Sequence, residues 1–186
     1  MDATELLEQQ HRKVEGLFGK LEDMQREEAG ELLDELANDL AAHMAIEQQL
    51  FYPAVREVDE ELVVESFEEH SIAEVALKRL LIAKQQLTFK ARVTALKELI
   101  QHHVEEEEHE LFPKVQKALN SERLDQLGEQ MEQLFEQKVK AGYKRLVPKG
   151  LVPTSADEAQ KRKSRSKPAK RKSAPSRTTS RRRSAA

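Results

Sequence analysis

Two segments of this chain, 60 residues apart, carry the same arrangement of polar and apolar side chains. Each has a histidine, a glutamate four residues later, and an aromatic residue followed by proline: His43, Glu47, Tyr52 and Pro53 in the first, His103, Glu107, Phe112 and Pro113 in the second. His11 and His70 stand 59 residues apart and precede these segments by 32 and 33 residues. Two helical hairpins of the same design are the simplest structure for such a repeat, and they predict an all-α, up-down four-helix bundle.

Good helix-forming residues fill the chain up to about residue 144, and no stretch shows the period-two alternation of a strand. Five helices are predicted, over residues 2–28, 31–56, 60–86, 90–119 and 121–140. Asp2 and Glu5 have the spacing of a capping box, and Gly30 is a candidate stop for the first helix. The prolines of the repeat should bend or break their helices, and Ser121 is a candidate N-cap for the fifth.

Charge divides the chain into an acidic body and a basic tail. Residues 161–186 contain 12 of the 31 Lys and Arg residues, whereas all 34 acidic residues lie before them. We therefore predict three parts: a helical bundle over 1–145, a linker containing proline and glycine over 146–160, and the tail over 161–186. The tail has too little apolar surface to offset the entropy of its chain, so we expect it to be disordered.

The composition of the tail predicts non-specific binding to nucleic acid, because a polybasic segment displaces counterions from phosphates. The tail has no aromatic residue that could stack on bases, which disfavours sequence-specific recognition. Three alternatives stay open: the tail folds back on the acidic body, it aids solubility, or it acts as a localisation signal.

Several classes of protein are disfavoured by what the sequence lacks. It contains no cysteine, which rules out disulfides, thiolate nucleophiles and metal clusters held by thiolates. Its acidic first residues do not resemble a secretory signal. No apolar run approaches the roughly 18–20 residues that a membrane span needs. We therefore expect a cytoplasmic protein without membrane contact.

The His and Glu residues of the repeat fall on the apolar faces of their predicted helices. His43 shares a seven-residue row with Leu36 and Leu50, and Glu47 lies one turn further along the same face. Apolar neighbours at the same helical spacing predict that four other polar residues also point inward: His11, His70, His103 and Glu107. Four helices thus each deliver one histidine to the predicted core, and two of them add a glutamate.

A metal centre is the simplest common partner for these groups. Burying an unpaired carboxylate costs several kcal/mol, about as much as the whole stability of a typical domain. Imidazole and carboxylate ligands together suit iron, with manganese or zinc as alternatives, and these six groups are too many for one tetrahedral zinc ion. They fit two six-coordinate ions, with positions left for water or a small diatomic ligand. The competing interpretation is an ordinary bundle whose core histidines are satisfied by hydrogen bonds.

At these residues the chain resembles the hemerythrin-like, HHE cation-binding family. The resemblance covers about residues 1–140 and rests on His11, on His43-x-x-x-Glu47 leading to Leu50-Phe51-Tyr52-Pro53, on His70, and on His103-x-x-x-Glu107 leading to Leu111-Phe112-Pro113. It implies a hemerythrin-type bundle that holds two iron ions joined by an oxo or hydroxo bridge. It also implies the ligands: His11, His43, His70 and His103 as terminal ligands, with Glu47 and Glu107 bridging the metals.

One position departs from the oxygen-carrying hemerythrins, which have a second histidine one turn after the histidine of their third helix. Here that position is Glu74, in a row with Phe67 and Leu81, so we expect an inward carboxylate that binds a metal or hydrogen-bonds a ligand histidine. As a ligand, this anion would favour the ferric state and therefore redox sensing, or turnover of peroxide or nitric oxide, over reversible oxygen carriage. Glu108, five residues after His103, is a reserve ligand.

These features favour a non-haem di-iron protein that binds or senses oxygen, reactive oxygen or nitrogen species, or iron. The alternatives are a di-iron enzyme with peroxidase- or catalase-like activity, and a nucleic-acid-associated protein tethered by its basic tail. Ferritin-like iron storage is disfavoured, because those bundles use Glu-x-x-His, whereas here the histidine comes first and the spacing is four. The expected partners are a small diatomic ligand or peroxide, and nucleic acid through residues 161–186.

Overall fold

The computed structural model describes residues 1–25, 28–82 and 88–146, and within these ranges the chain forms helices and no strand. The α-helices are α1 (Ala3–Asp23), α2 (Gly30–Ile46), α3 (Tyr52–Val55), α4 (Glu60–Leu81), α5 (Phe89–Glu106), α6 (Phe112–Ala118), α7 (Ser121–Ala141) and α8 (Tyr143–Leu146). Two π-helical turns, Glu47–Phe51 and Glu107–Leu111, join α2 to α3 and α5 to α6. No helix in these ranges combines the length and the apolar character needed to cross a lipid bilayer.

The four long helices α1, α2, α4 and α5 form the predicted bundle. Helix α1 packs against α2 and α5, while α4 packs against α5 and α2, so each hairpin closes on the other. Helix α7 corresponds to the fifth helix predicted from the sequence, and it lies against α1 and α2. The expectation of an all-α four-helix bundle with an additional C-terminal helix is therefore confirmed for the described residues.

The close approach of α7 to the start of α1 requires a glycine. A methyl group at Gly128 would overlap the backbone carbonyl oxygen of Met1, and it would lie 2.9 Å from the carbonyl carbon of Asp2. On the same side of α7, Leu124, Leu127 and Met131 are buried in the bundle. The apolar face of α7 thus covers the end of the bundle at which the chain begins.

Helix ends agree with the sequence in one case and differ in two. The side chain of Asp2 accepts hydrogen bonds from the backbone N–H groups of Thr4 and Glu5, and Glu5 accepts one from the N–H of Asp2, which confirms the capping box. Gly30 does not stop the first helix, which ends at Asp23; it is instead the first residue of α2. The N-cap of α7 is Asn120 rather than Ser121, because the Asn120 side chain reaches the N–H of Arg123 at 2.8 Å.

The sequence predicted that the two prolines bend or break their helices. The structure keeps both segments helical through the proline, and α3 ends at Val55, two residues after Pro53. The N–H of Tyr52 bonds to the carbonyl of Glu47, and the N–H of Phe112 bonds to that of Glu107, five residues back in each case. This wider turn keeps the chain helical up to the proline, whose ring would clash with an ordinary α-helical turn before it. In both segments the π-helical turn begins at the glutamate of the repeat.

A polar layer separates two apolar clusters inside the bundle. The first cluster includes Val14, Phe18, Leu36, Leu77 and Leu96. The second cluster includes Leu7, Ile46, Tyr52, Val63 and Phe112. His11 lies between Leu7 and Val14 on α1, so its helix passes from one cluster to the other at the histidine. The sequence-predicted inward residues therefore occupy the middle of the molecule.

Three predictions reach beyond the described residues. The third predicted helix was expected to run to residue 86, whereas α4 ends at Leu81 and residues 83–87 are not described. Nearly all of the predicted linker over 146–160, and the whole tail over 161–186, also lie outside the described residues. The boundaries of these parts stay predictions.

Candidate metal centre

The four histidines of the polar layer meet in two pairs. Each comes from a different long helix, and each is at most 4% exposed. The Nε2 atoms of His11 and His43 lie 3.1 Å apart, and those of His70 and His103 lie 3.0 Å apart. The ring nitrogens nearest the middle of the bundle therefore converge on two neighbouring points.

The two buried glutamates connect these pairs. Oε2 of Glu47 lies 3.2 Å from Nε2 of His43 and 3.4 Å from Nε2 of His70. Oε2 of Glu107 lies 3.4 Å from Nε2 of His11 and 3.5 Å from Nε2 of His103. Each carboxylate thus contacts one histidine of each pair, which is the arrangement a bridging ligand needs.

Polar side chains hold the outer nitrogen, Nδ1, of all four rings. The contacts are His11 with Glu108 at 2.8 Å, His43 with Gln10 at 2.8 Å, His103 with Glu69 at 2.7 Å, and His70 with Gln48 at 3.3 Å. In the first three the partner atom is an oxygen, so Nδ1–H donates and Nε2 is left free for another partner. Contacts of this kind orient the ligand histidines of metal sites.

The pair of His11 and His43 requires a cation between its rings. Because Nδ1 carries the proton in both neutral rings, their Nε2 atoms present two lone pairs to each other across 3.1 Å. Either a proton or a metal ion removes this repulsion. Separations of 3.1 and 3.0 Å fit either a proton shared between two ring nitrogens or two nitrogens that would bind one metal ion.

The carboxylates show the same need for positive charge. Within the described ranges, both oxygens of Glu47 and Oε2 of Glu107 are buried and have no hydrogen-bond partner. Leaving such groups unpaired in a protein interior costs several kcal/mol. Nitrogen and carboxylate oxygen without thiolate is a donor set for iron, manganese or zinc. The residues present therefore fit a metal centre.

In the metal-free chain, protons supply part of this positive charge. Burial, together with the charge of Glu107, raises the pKa of Glu47 well above its usual range. Burial also acts to raise the pKa of Glu107, but the neighbouring His103 and His11 outweigh it and hold this pKa at about 2. Burial lowers the pKa of His43, while the glutamates beside His11 overcome burial and raise the pKa of that ring. The surroundings thus favour the protonated form of Glu47 and the ionised form of Glu107.

Tyr52, a residue of the second apolar cluster, also contacts the centre through its hydroxyl. Its hydroxyl is fully buried and donates a hydrogen bond to Oε1 of Glu107 at 2.9 Å. The hydroxyl oxygen also lies 3.2 Å from Nε2 of His70 and 3.4 Å from Nε2 of His103. Burial and the two glutamates raise the pKa of Tyr52 well above its usual range, so the phenol keeps its proton.

Two of the acidic residues named from the sequence lie elsewhere. The structure brings His11, His43, Glu47, His70, His103 and Glu107 into two overlapping groups of metal-binding atoms, and Glu74 is in neither of them. Glu74 is half-buried and lines a cavity with Gln48 and Lys138 instead. The expectation of an inward Glu74 depended on Phe67, which is itself 36% exposed. Glu108 holds Nδ1 of His11 rather than pointing between the two pairs.

Two cavities adjoin the histidines. One of about 10 Å³ is walled by the four rings and by apolar side chains, among them Val14, Leu40 and Ile100. The other, of about 110 Å³, opens between α1 and α5 and shares His11, Val14, Ile100 and Val104 with the first. The inner cavity has room for about one water molecule, so only a very small ligand fits beside the rings.

The residues that hold Nδ1 were not identified from the sequence, apart from Glu108. Gln10 could have been found by the test that found the histidines, since it shares a seven-residue row with the buried Ala3 and Leu17. Gln48 lies between Ala41 and Val55 in such a row. Glu69 carries a weaker signal, because its neighbours Leu62 and Ala76 are only partly buried.

Comparison with known proteins also supports a cation-binding domain. The chain is similar to a hemerythrin HHE cation-binding domain-containing protein from Mycobacterium kansasii, whose crystal structure superposes with a TM-score of 0.69 at 28% identity and covers 81% of this chain and 94% of that one. It is also 31% identical over 133 residues to a protein named DNA nickase from a Nostoc species. That match covers 68% of this chain and only 37% of the length of the relative. Residues 2–115 match the hemerythrin HHE cation-binding domain, and the chain therefore belongs to that family.

Proposed function

We propose that this chain is a non-haem di-iron protein that binds or senses oxygen, reactive oxygen or nitrogen species, or iron itself. The observation that carries the proposal is the pairing of four buried imidazoles across two buried carboxylates, with every nitrogen–oxygen contact at 3.5 Å or less. Two pairs of nitrogens joined by two shared carboxylates suit two ions better than one. Membership of a cation-binding family supports a metal, and the mixed nitrogen and oxygen donors support iron.

The side chains around the centre each have a role in this proposal. His11 and His43 would hold one ion, His70 and His103 the other, and the two glutamates both. Bound iron would supply a ferrous–ferric couple and open coordination positions for a small ligand. The inner cavity has apolar walls and a volume of only about 10 Å³, which favours a very small ligand such as a diatomic molecule or peroxide over a larger substrate.

Metal analysis combined with an anaerobic-to-aerobic optical titration tests the proposal. The full chain, loaded with ferrous iron and passed through gel filtration, should retain about two ions and change its absorption on exposure to oxygen. His43→Ala combined with His103→Ala should abolish both results. His109→Ala is the matched control, because this exposed histidine lies outside the bundle core and should leave both unchanged.

Two outcomes would contradict the proposal. Retention of fewer than about one ion by the wild type would remove the di-iron centre. Equal iron retention by the double variant and the control would place the metal elsewhere. A steady-state assay with peroxide on the loaded chain separates the two uses of the centre, since rapid catalytic loss of peroxide favours an enzyme over a sensor.

A second candidate is association with nucleic acid through residues 161–186. The concentration of 12 basic residues without an acidic one supports it, because such a segment binds phosphates by counterion release. The relative from Nostoc is named for an activity on DNA, although this chain spans only 37% of its length. The candidate concerns binding by the tail and not cleavage.

A truncation across a salt series tests this second candidate. The full chain should bind duplex DNA with an affinity that falls steeply as salt rises, and the chain ending at residue 160 should lose most of it. Because the truncation leaves the bundle intact, iron retention provides the control for folding. Unchanged affinity after truncation would rule out the tail as the binding segment.

A further inference from the structure

One carboxylate reaches from the buried centre to the outer surface of the bundle. Oε2 of Glu69, on α4, lies 2.7 Å from Nδ1 of His103 and orients that ring. The other oxygen, Oε1, lies 3.8 Å from Nε2 of His102, the preceding residue on α5, whose ring faces outward. Glu69 therefore has one oxygen committed to the interior and one directed at the surface.

Two further donors converge on the outer side of Glu69. His102 and Glu106 are one helical turn apart on α5, and Nε2 of His102 lies 3.5 Å from Oε1 of Glu106. One potential ligand atom from each of Glu69, His102 and Glu106 lies within 4.8 Å of the others. One nitrogen and two carboxylate oxygens from two packed helices are thus already close enough to share an ion.

The surroundings of this group favour a cation that arrives from solvent. The His102 side chain is 61% exposed, whereas those of Glu69 and Glu106 are 13% and 26% exposed. In the described part of the chain, both carboxylates form ion pairs with histidines, not with lysine or arginine. An open depression of about 380 Å³ beside them is lined by His102, Glu105, Glu106, His109 and Glu110.

We propose that Glu69, His102 and Glu106 form a second divalent-cation site, on the outer surface of the bundle. Its donors suit Zn²⁺, Mn²⁺ or Fe²⁺. Three protein ligands leave the remaining positions to water, so the ion exchanges with solvent, unlike an ion enclosed by the buried centre. The site is separated from His103 by a single carboxylate. It does not depend on the buried centre being di-iron, because it uses none of the six buried residues.

Titration with Zn²⁺ tests the proposal on the full chain. The chain is first loaded with ferrous iron without oxygen and gel-filtered, and then titrated by calorimetry. We expect the wild type to bind about one additional ion. His102→Gln combined with Glu106→Gln should weaken this association by about tenfold or more. Glu122→Gln combined with Glu129→Gln is the control for acidic charge, since both residues are exposed on α7 and lie outside the depression, and this variant should bind Zn²⁺ as the wild type does.

Iron content and ring spectra make the outcome unambiguous. All three proteins should carry the same amount of iron, which separates loss of the outer site from damage to the buried centre. In the wild type, Mn²⁺ should broaden the NMR signals of the His102 ring before those of His109. Equal weakening in both double variants would reduce the binding to a diffuse effect of acidic charge, and no binding by the wild type would also overturn the proposal.

Discussion

Nδ1 of His11 donates a hydrogen bond to Oε1 of Glu108 across 2.8 Å, and Arg12 pairs with the other oxygen of the same carboxylate from the solvent side. Glu108 therefore lies between a buried ring and an exposed guanidinium. The hydrogen bond from His11 and the charge of Arg12 lower the pKa of Glu108, so the carboxylate is ionised at neutral pH. An ionised acceptor at Nδ1 fixes the proton there and leaves Nε2 free to bind a metal.

Removal of Glu108 should therefore weaken metal binding without removing a ligand. We expect Glu108→Ala to lower the affinity for iron or Zn²⁺ by about 10–100-fold, because His11 loses the group that orients it. Glu108→Gln should recover part of the loss, since an amide oxygen can accept from Nδ1 as that of Gln10 does for His43. Competition with a chelator measures the affinity.

Glu105→Ala is the control for Glu108. Glu105 is exposed and lies in the same acidic segment, so its removal changes the net charge equally without touching a ligand ring. Equal losses in Glu105→Ala and Glu108→Ala would show that surface charge, and not the orientation of His11, determines the affinity.

The hydroxyl of Tyr52 should stabilise the fold even without metal. Tyr52→Phe leaves Oε1 of Glu107 buried without a donor, which should lower the free energy of unfolding by about 1–3 kcal/mol. Tyr143→Phe is the matched control, because that hydroxyl donates to Asp34 at 3.1 Å in a half-buried position where water can replace it. Urea denaturation of the metal-free chains measures both, and a smaller effect at Tyr52 than at Tyr143 would contradict this account.

The inward layer could be predicted from the sequence because two independent patterns agree on it. His43 and His103 fall in apolar seven-residue rows, and they are also related by the 60-residue repeat. The prediction for Glu74 rested only on its seven-residue row, in which Phe67 was assumed to be a core residue. Phe67 contacts the Tyr52 ring with a centroid distance of 5.2 Å and yet remains 36% exposed, so an apolar side chain at the margin of the core was mistaken for one inside it.

Other features depend on contacts that a single sequence does not contain. Glu69 is a polar residue on a partly polar face, and only the packing of α4 against α5 decides that it meets His103. The π-helical turns depend on how the chain accommodates a proline whose helix is held on both sides by packing. A proline alone is equally consistent with a bend, a break or a π-helical turn, and the sequence predicted only the first two.

The two helix-interior glycines at Gly128 and Gly16 should respond in opposite ways to alanine. At Gly128 the added methyl group overlaps the backbone of Met1 and must push α7 away from the start of α1, which should lower the free energy of unfolding by about 1–3 kcal/mol. At Gly16 nothing lies within 4 Å, so Gly16→Ala should raise stability by about 0.5–1 kcal/mol through helix propensity. Thermal unfolding measures both, and an equal gain in stability in both variants would show that α7 does not pack tightly against residue 1.

Glu47 should stabilise the chain with metal and destabilise it without. In the metal-free chain neither of its oxygens has a hydrogen-bond partner within the described ranges, and burial raises its pKa. Glu47→Met replaces this group by an apolar chain of similar length and should raise the free energy of unfolding of the metal-free protein by about 1–3 kcal/mol. The wild type should gain about 2.7 kcal/mol from metal at a hundred times its dissociation constant, and the variant should gain much less.

Unfolding with a chelator and with Zn²⁺ measures both changes, and Glu98→Met, at an exposed position, should change neither by more than about 0.5 kcal/mol. A metal-free Glu47→Met chain less stable than the wild type would mean that the carboxylate is satisfied without any ion, and the argument for a metal from its unpartnered oxygens would fail.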